Sequence, residues 1–190
     1  MVEIWFLLVP FSPRWTACSQ SGKSSLTIQF VEGQFVDSYD PTIENTFTTT
    51  MTVNGQEYNL QLVDTAGQDE YSIFPQSYTI DVDGYILIYS VTSFKSFEVI
   101  RVIHEKLLDM VGNVQVPITL VGNKKDLHME RMISFEDGRA LADSWNATFL
   151  ESSAKENQVR APALPAAVAV LRLSSLPCFF LRQPSRSSGG

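Results

Sequence analysis

Three residues near the start of the chain, Gly22, Lys23 and Ser24, have the types and the order of a phosphate-binding loop. Where a helix begins, successive backbone N–H groups are unpaired and can hold phosphate oxygens, and a lysine ammonium can reach the terminal phosphates. The Ser24 hydroxyl is then placed to bind Mg²⁺. Because three residues of this kind also occur at ordinary helix starts, the chemistry needs support from elsewhere in the sequence.

That support begins with the segment Asp64–Gln68, Asp-Thr-Ala-Gly-Gln, which follows an apolar strand of a predicted hairpin. A carboxylate at this place can hold Mg²⁺ through water, and the Gly67 N–H can contact a terminal phosphate. Gln68 is placed to orient an attacking water molecule. The alternative is a plain turn with an aspartate at its mouth, and the phosphate loop upstream argues against it.

A third segment, Asn123-Lys124-Lys125-Asp126, comes directly after a predicted buried strand and favours a base pocket. Guanine presents two adjacent N–H donors that one carboxylate can accept, whereas adenine presents no such pair. A buried Asp126 therefore predicts selection of guanine, because the wrong base would leave its charge unpaired. Residues 153–155, Ser-Ala-Lys, follow the last predicted strand, where a backbone N–H can meet the carbonyl of the base.

The polar loop Tyr39–Glu44 lies between a predicted helix and the hairpin. Thr42 in this loop is placed to complete the Mg²⁺ shell when a third phosphate is present. All these segments follow predicted strands or open predicted helices. We therefore expect them to meet where open α/β sheets bind ligands, at the carboxyl ends of the strands.

The elements that position these segments follow from the hydrophobic pattern. Continuous apolar runs predict strands buried on both faces, and apolar residues at helical spacing predict helices. Alternating segments around Asn54-Gly55 predict a hairpin with a tight turn, and the order of strands and helices favours a mostly parallel sheet. The predicted elements are a helix between Gly22 and Gly33, hairpin strands at Phe47–Val53 and Tyr58–Leu62, strands at Tyr85–Val91, Val116–Val121 and Thr148–Leu150, and helices over Phe97–Leu108 and Ser134–Asn146.

Composition limits the class of protein. The chain has 190 residues, of which 44% are hydrophobic and 18% charged, which is typical of a globular domain with a real core. Its net charge of −7 argues against nucleic acid as the main partner, since phosphate binding needs a basic face. Two cysteines cannot form a disulfide framework and favour a reducing compartment.

The chain divides by composition into three parts. Residues 1–20 form a head without clear periodicity, and residues 21–158 carry the predicted domain. Residues 159–190 hold four arginines, several prolines and no acid, which predicts an irregular tail or a partial helix.

The order Gly-Lys-Ser, Asp-Pro-Thr-Ile-Glu, Asp-Thr-Ala-Gly-Gln, Asn-Lys-Lys-Asp, Ser-Ala-Lys resembles that of Ras-like small GTPases. Segments such as Phe30–Phe35 and Gln68–Pro75 resemble one branch of that family, and the resemblance covers residues 21–158. It implies an α/β fold of the P-loop GTPase type, with a mostly parallel sheet, one antiparallel hairpin and flanking helices. It also implies a monomeric switch that binds GDP or GTP with Mg²⁺ and hydrolyses GTP.

The resemblance implies a role for each matching residue. Gln68 is the implied catalytic residue, and Ser24, Thr42 and Asp64 are the implied Mg²⁺ ligands. The residues implied to contact the nucleotide are Ser21, Gly22, Lys23, Ser24, Ser25, Val36, Asp37, Tyr39, Thr42, Gly67, Asn123, Lys124, Asp126, Ser153, Ala154 and Lys155.

The resemblance also implies partners, which would contact the loops Tyr39–Glu44 and Asp64–Tyr78. The implied effector is the target-of-rapamycin kinase complex, and the implied GTPase activator is the tuberous sclerosis complex. Family members lie at endomembranes through a prenylated C-terminal cysteine. Because Ser187–Gly190 contains no cysteine and Cys178 lies far inside, we expect a cytoplasmic chain without a prenyl anchor.

Both ends depart from the family pattern. Ala17 stands where the phosphate loop has its first glycine, which can narrow the loop and impair activity. Pro13 is expected to disrupt a central first strand, and Ile4–Val9 could replace that strand. The final helix of the family is doubtful here.

Two alternative functions stay open. One is an interaction module that binds no nucleotide, and the other is an ATP-using kinase, against which the segment Asn123–Asp126 argues.

Overall fold

The computed structural model describes residues 13–17, 21–35, 44–53, 56–65, 82, 84–112 and 117–156. Within these residues the chain forms six strands and three α-helices. In chain order they are β1 (Pro13–Ala17), α1 (Lys23–Glu32), β2 (Glu44–Val53), β3 (Gln56–Thr65), β4 (Gly84–Ser90), α2 (Phe94–Val111), β5 (Ile118–Asn123), α3 (Phe135–Ser144) and β6 (Thr148–Glu151).

The six strands form one sheet in the order β2-β3-β1-β4-β5-β6. Only β2 and β3 pair antiparallel, and Val53 faces Gln56, the register that a two-residue hairpin connection requires. All other neighbours pair parallel. The prediction of a mostly parallel sheet with one antiparallel hairpin and flanking helices is confirmed.

The first strand corrects one expectation. We expected Pro13 to disrupt the central strand, but β1 pairs with β3 and β4, and Pro13 is its first residue. A proline is tolerated at that position because the missing N–H falls where the ladder begins. The position between β3 and β4 is therefore filled by Pro13–Ala17, and the prediction of a malformed strand was wrong. Ile4–Val9 lies outside the described residues.

Burial explains why β4 and β5 read as continuous apolar runs. Every residue of β4 is buried, and in β5 only Ile118 is partly exposed. One face of the sheet packs a core with Leu26 and Phe30 of α1, and the other face packs against α2 and α3 through Tyr89. The strand β5 begins later than predicted and extends to Asn123, so this residue ends the strand instead of following it.

The helix ends follow from local chemistry. Gly33 ends α1 in the left-handed conformation with φ 73°, which glycine adopts without strain. The side chain of Ser93 accepts a hydrogen bond from the Ser96 N–H at the start of α2. Ser134 accepts one from the Asp137 N–H at the start of α3, so both serines cap orphan donors.

Three predicted features lie outside the described residues: the Asn54-Gly55 turn, the head before residue 13 and the tail from residue 159. The division at residues 20 and 158 therefore stays a prediction. No helix within the described ranges is long and apolar enough to cross a membrane.

We predict that Gly138→Ala destabilises the protein. Replacing an exposed glycine in a helix by alanine normally raises the free energy of unfolding by about 1 kcal/mol. At Gly138, an added Cβ would contact the hydroxyl of the buried Tyr89 and would lie 2.7 Å from Cζ of Phe149, which packs against the same core. We therefore expect a loss of about 1–3 kcal/mol, measured as the free energy of unfolding in urea.

The control for this substitution is Ala140→Gly on the exposed face of the same helix, which should lose about 1 kcal/mol from helix propensity alone. A Gly138→Ala variant more stable than the parent would show that the core tolerates the added methyl group.

We also predict an acid-sensitive contribution from His104. Its ring is buried and stacks on Trp145, with 3.9 Å between ring centroids, and burial lowers its pKa. On acidification, the unfolded chain takes up the proton at a higher pH than the folded chain does. The stability contributed by the neutral His104 ring is therefore complete above about pH 6.5 and is lost as the pH falls through the folded-state pKa.

Urea unfolding at pH 7.5 and 5.5 measures this loss, and His104→Phe keeps the stack without the titrating group. The variant should lose less stability on acidification than the parent. The other histidine, His128, is exposed and stays in both proteins. Equal losses in the two proteins would assign the pH dependence to other groups.

Candidate functional site

The polar segments converge at the carboxyl ends of the parallel strands. Asp64 lies at the end of β3, Asn123 at the end of β5, and residues 152–154 directly follow β6. The start of α1 faces them with Gly22 and Lys23. Parallel strands bring their carboxyl ends to one edge, so residues distant in sequence share one site, as predicted.

Lys23 and Asp64 form the buried electrostatic centre of this edge. Their side chains are 6% and 0% exposed, and the Lys23 ammonium lies 2.9 Å from Oδ1 of Asp64. The contact is one of charge, because neither Asp64 oxygen has a directed hydrogen-bond donor among the described residues. A buried carboxylate with unused acceptor capacity at the start of the helix that carries Ser24 is an oxygen donor of the kind that Mg²⁺ prefers.

Gly22 requires glycine for two reasons. Its φ of 80° is in the left-handed region, and a Cβ at this position would lie 2.6 Å from Nδ2 of Asn123. The backbone at the start of α1 therefore approaches the end of β5 more closely than any side chain would allow. Leu26 N–H donates to the Gly22 carbonyl, which fixes the first helical turn.

Asn123 joins the two halves of the site. Its side chain is buried, and Nδ2 donates to the Ser21 carbonyl at 2.8 Å and more weakly to the Gly22 carbonyl at 3.4 Å. The Oδ1 atom has no hydrogen-bond partner among the described residues. The segment predicted to hold a base is thus tied directly to the segment predicted to hold phosphates.

Asp126 is held by the segment that follows β6. The Ser153 hydroxyl donates to Oδ1 of Asp126 at 2.6 Å and accepts from the Glu156 N–H at 3.1 Å. The Lys125 N–H donates to the Ser152 carbonyl at 3.2 Å. The two predicted base-binding segments therefore lie side by side, with the Asp126 carboxylate oriented but still partly exposed.

Further predicted residues take their places in this group. Lys124 has a φ of 67°, a left-handed conformation that turns the chain between Asn123 and Asp126. Ala154 is buried and Lys155 is exposed at the end of the group. The predicted residues that lie outside the described part of the chain are Val36, Asp37, Tyr39, Thr42, Gly67 and Gln68.

Sequence reasoning missed an ion pair behind the base-binding segments. The Arg131 guanidinium donates to both oxygens of Glu151, at 2.7 and 2.9 Å. This hydrogen bonding raises the pKa of Arg131, and burial raises the pKa of the nearby Tyr89 hydroxyl. No motif marks either residue, although both lie within a few positions of predicted site segments.

Comparison with known proteins identifies the class. A family model described as the Ras family matches residues 18–170. The chain belongs to the Ras family and is a small GTPase, an enzyme that hydrolyses GTP. This membership argues against the ATP-using kinase, and the comparisons give no support to a module that binds no nucleotide.

Individual relatives narrow the class to the Rheb type. The chain is 85% identical over 137 residues to the GTP-binding protein Rheb of Homo sapiens, covering 72% of this chain and 74% of the relative. It is 66% identical to a Rheb homolog of Drosophila melanogaster, with shares of 72% and 75%. It is 50% identical to the GTP-binding protein rhb1 of Schizosaccharomyces pombe, with shares of 72% and 74%.

We predict that Asp64→Ala destabilises the nucleotide-free protein by about 3–5 kcal/mol, because it leaves the buried Lys23 ammonium without a counter-charge. Urea unfolding after removal of nucleotide and metal with a chelator and a phosphatase measures the effect. The double variant Lys23→Met/Asp64→Leu buries no charge and should recover most of the loss. A single variant as stable as the parent would show that the pair is well hydrated.

Proposed function

We propose that this Ras-family GTPase is a guanine-nucleotide switch in which Asp126 selects the base. Lys23 is the proposed phosphate contact, and Ser24 and Asp64 are proposed to hold Mg²⁺. The observation that carries the proposal is the hydrogen bond from Ser153 to Asp126, at 2.6 Å, beside the buried Asn123. The first contact orients the Asp126 carboxylate, and Asn123 ties the same segment to the start of α1. A preorganised acceptor of this kind loses little entropy on binding.

Guanine selection follows from the charge of Asp126. A carboxylate accepts from both the ring N–H and the exocyclic amine of guanine, and charge-assisted pairs of this kind are short and strong. The Ser153 hydroxyl donates to one oxygen of the Asp126 carboxylate and so orients the carboxylate plane toward the proposed position of the base. The Ala154 N–H is the proposed donor to the guanine carbonyl.

The phosphates are the proposed ligands of the helix start. Gly22 and Lys23 supply backbone N–H groups at the positive end of α1, and the Lys23 ammonium is the proposed contact of the terminal phosphates. Ser24, Thr42 and Asp64 are the proposed holders of Mg²⁺, which would neutralise phosphate charge when bound. Asp64 also lies 2.9 Å from the Lys23 ammonium, so the proposed metal and phosphate residues adjoin one another.

Hydrolysis in such domains depends on positioning and electrostatics, so it is slow alone and faster with a partner. Gln68 is the proposed residue that orients the attacking water, and Thr42 and Gly67 are the proposed sensors of the third phosphate. The family match supports these roles because it extends over all three residues.

The proposed effector is the target-of-rapamycin kinase complex, and the proposed GTPase activator is the tuberous sclerosis complex. Support comes from the 85% identity to a Rheb protein over 137 residues and from the Ras-family match over residues 18–170, which includes the loops Tyr39–Glu44 and Asp64–Tyr78. These loops contain the residues proposed to sense the third phosphate, so a partner that contacts them would distinguish GTP from GDP.

We predict that Asp126→Ala weakens GDP and GTP binding at least a hundredfold, equivalent to ~2.7 kcal/mol, because the base loses its charge-assisted acceptor. Titration with a fluorescent guanine nucleotide in the presence of Mg²⁺ measures the change. Asp126→Asn should shift preference toward xanthine nucleotides, whose hydrogen-bonding edge is altered.

The matched control is Asp109→Ala, which removes an exposed carboxylate on α2 far from the site. It should bind nucleotide as the parent does. Unchanged GDP affinity in Asp126→Ala would contradict the assignment of the base pocket.

A further inference from the structure

We propose that Arg131 and Glu151 are positioning residues for guanine recognition. Their ion pair would hold the segments 123–126 and 152–154 at a fixed separation, and so set the rate of nucleotide release and the preference for guanine. The inference rests on the proposed function, which places the base between Asp126 and Ala154.

The geometry of the pair is that of a rigid connection. Nη1 of Arg131 lies 2.7 Å from Oε1 of Glu151, and Nη2 lies 2.9 Å from Oε2. The Glu151 side chain is 5% exposed and that of Arg131 is 24% exposed. Two parallel charge-assisted hydrogen bonds fix direction as well as distance.

The position of each partner makes the pair relevant to the base. Glu151 is the last residue of β6, and Ser152 and Ser153 follow it directly. Arg131 follows the 3-10 turn His128–Glu130, which begins shortly after Asp126. A shift of either partner therefore moves a segment that carries proposed base contacts.

The pair completes a closed ring of contacts around residues 123–133. The Val91 N–H donates to the Asn123 carbonyl at 3.0 Å, and the Val91 carbonyl accepts from the Ile133 N–H at 3.1 Å. The Ile133 carbonyl in turn accepts from Nη1 of Arg131 at 3.1 Å. Through Arg131 the ring reaches Glu151 of β6, so this segment is joined to β6, to the end of β5 and to the residue that follows β4.

Loss of Arg131 would act on Asp126 through Glu151. A buried carboxylate without a counter-charge is unfavourable, so Glu151 would turn toward solvent and shift the end of β6. The hydrogen bond from Ser153 to Asp126 depends on that end of the strand. Asp126 would then keep its charge but lose its orientation toward the base.

A second ion pair supplies the control. Arg139 and Asp143 lie 4.0 Å apart on the surface of α3, with side chains 66% and 71% exposed. This pair connects neighbouring turns of one helix and touches neither base-binding segment. Exposed pairs of this kind contribute little to stability.

The experiment measures release of fluorescent GDP and the relative affinities for GDP and IDP in the full chain with Mg²⁺. IDP lacks the exocyclic amine, so the ratio of affinities reports how well Asp126 is oriented. Arg131→Ala should release GDP about tenfold faster and lower the preference for GDP over IDP about threefold. Arg131→Lys should recover part of both effects, and Arg139→Ala should leave both unchanged.

The charge-exchanged variant Arg131→Glu/Glu151→Arg should recover part of the GDP preference lost in Arg131→Ala. Glu151→Gln, which keeps the shape of the side chain, is the milder test if Arg131→Ala does not fold. Equal weakening of GDP and IDP would show a structural role only and overturn the inference. Unchanged release in Arg131→Ala, with binding abolished in Asp126→Ala, would overturn the inference and leave the proposed function standing. Unchanged binding in Asp126→Ala would instead overturn the proposed function itself.

Discussion

The buried amide of Asn123 connects parts of the chain that are 102 positions apart. Its Nδ2 atom donates to the Ser21 carbonyl at 2.8 Å and so ties the start of α1 to the end of β5. The close approach needs a glycine at position 22, since a Cβ there would meet the same amide. The phosphate and base halves of the site depend on this contact for their relative position.

Buried charge at this edge is organised by partners supplied from different strands. Lys23 pairs with Asp64 of β3, and Arg131 pairs with Glu151 of β6. Lys23 and Asp64 are both buried, whereas the Arg131 side chain is 24% exposed and that of Glu151 is 5% exposed, so loss of one partner costs most at the first pair. Apolar cores pack on both faces of the sheet whose strands carry Asp64 and Glu151.

Hydrophobic pattern predicted the described elements from α1 to β6 and their order, because buried parallel strands and amphipathic helices have distinct periods. It misjudged Pro13, since the pattern cannot tell the first residue of a strand from an interior one. Motifs predicted Lys23, Asp64 and Asp126, because each of these residues lies in a short segment whose residue types alone indicate its chemistry. They did not predict the pair of Arg131 and Glu151, because its partners meet only when β5 and β6 lie side by side.

The place of β1 in the sheet has a consequence for synthesis on the ribosome. Trp15 is paired with Asp64 on one side and with Ile86 on the other, so both neighbours of this early strand are made much later. Until β3 leaves the exit tunnel, the strand that will lie at the centre has two open edges, and one of them stays open until β4 follows. Nascent chains with unpaired strand edges are prone to aggregation, and the long delay makes this segment a natural client for chaperones.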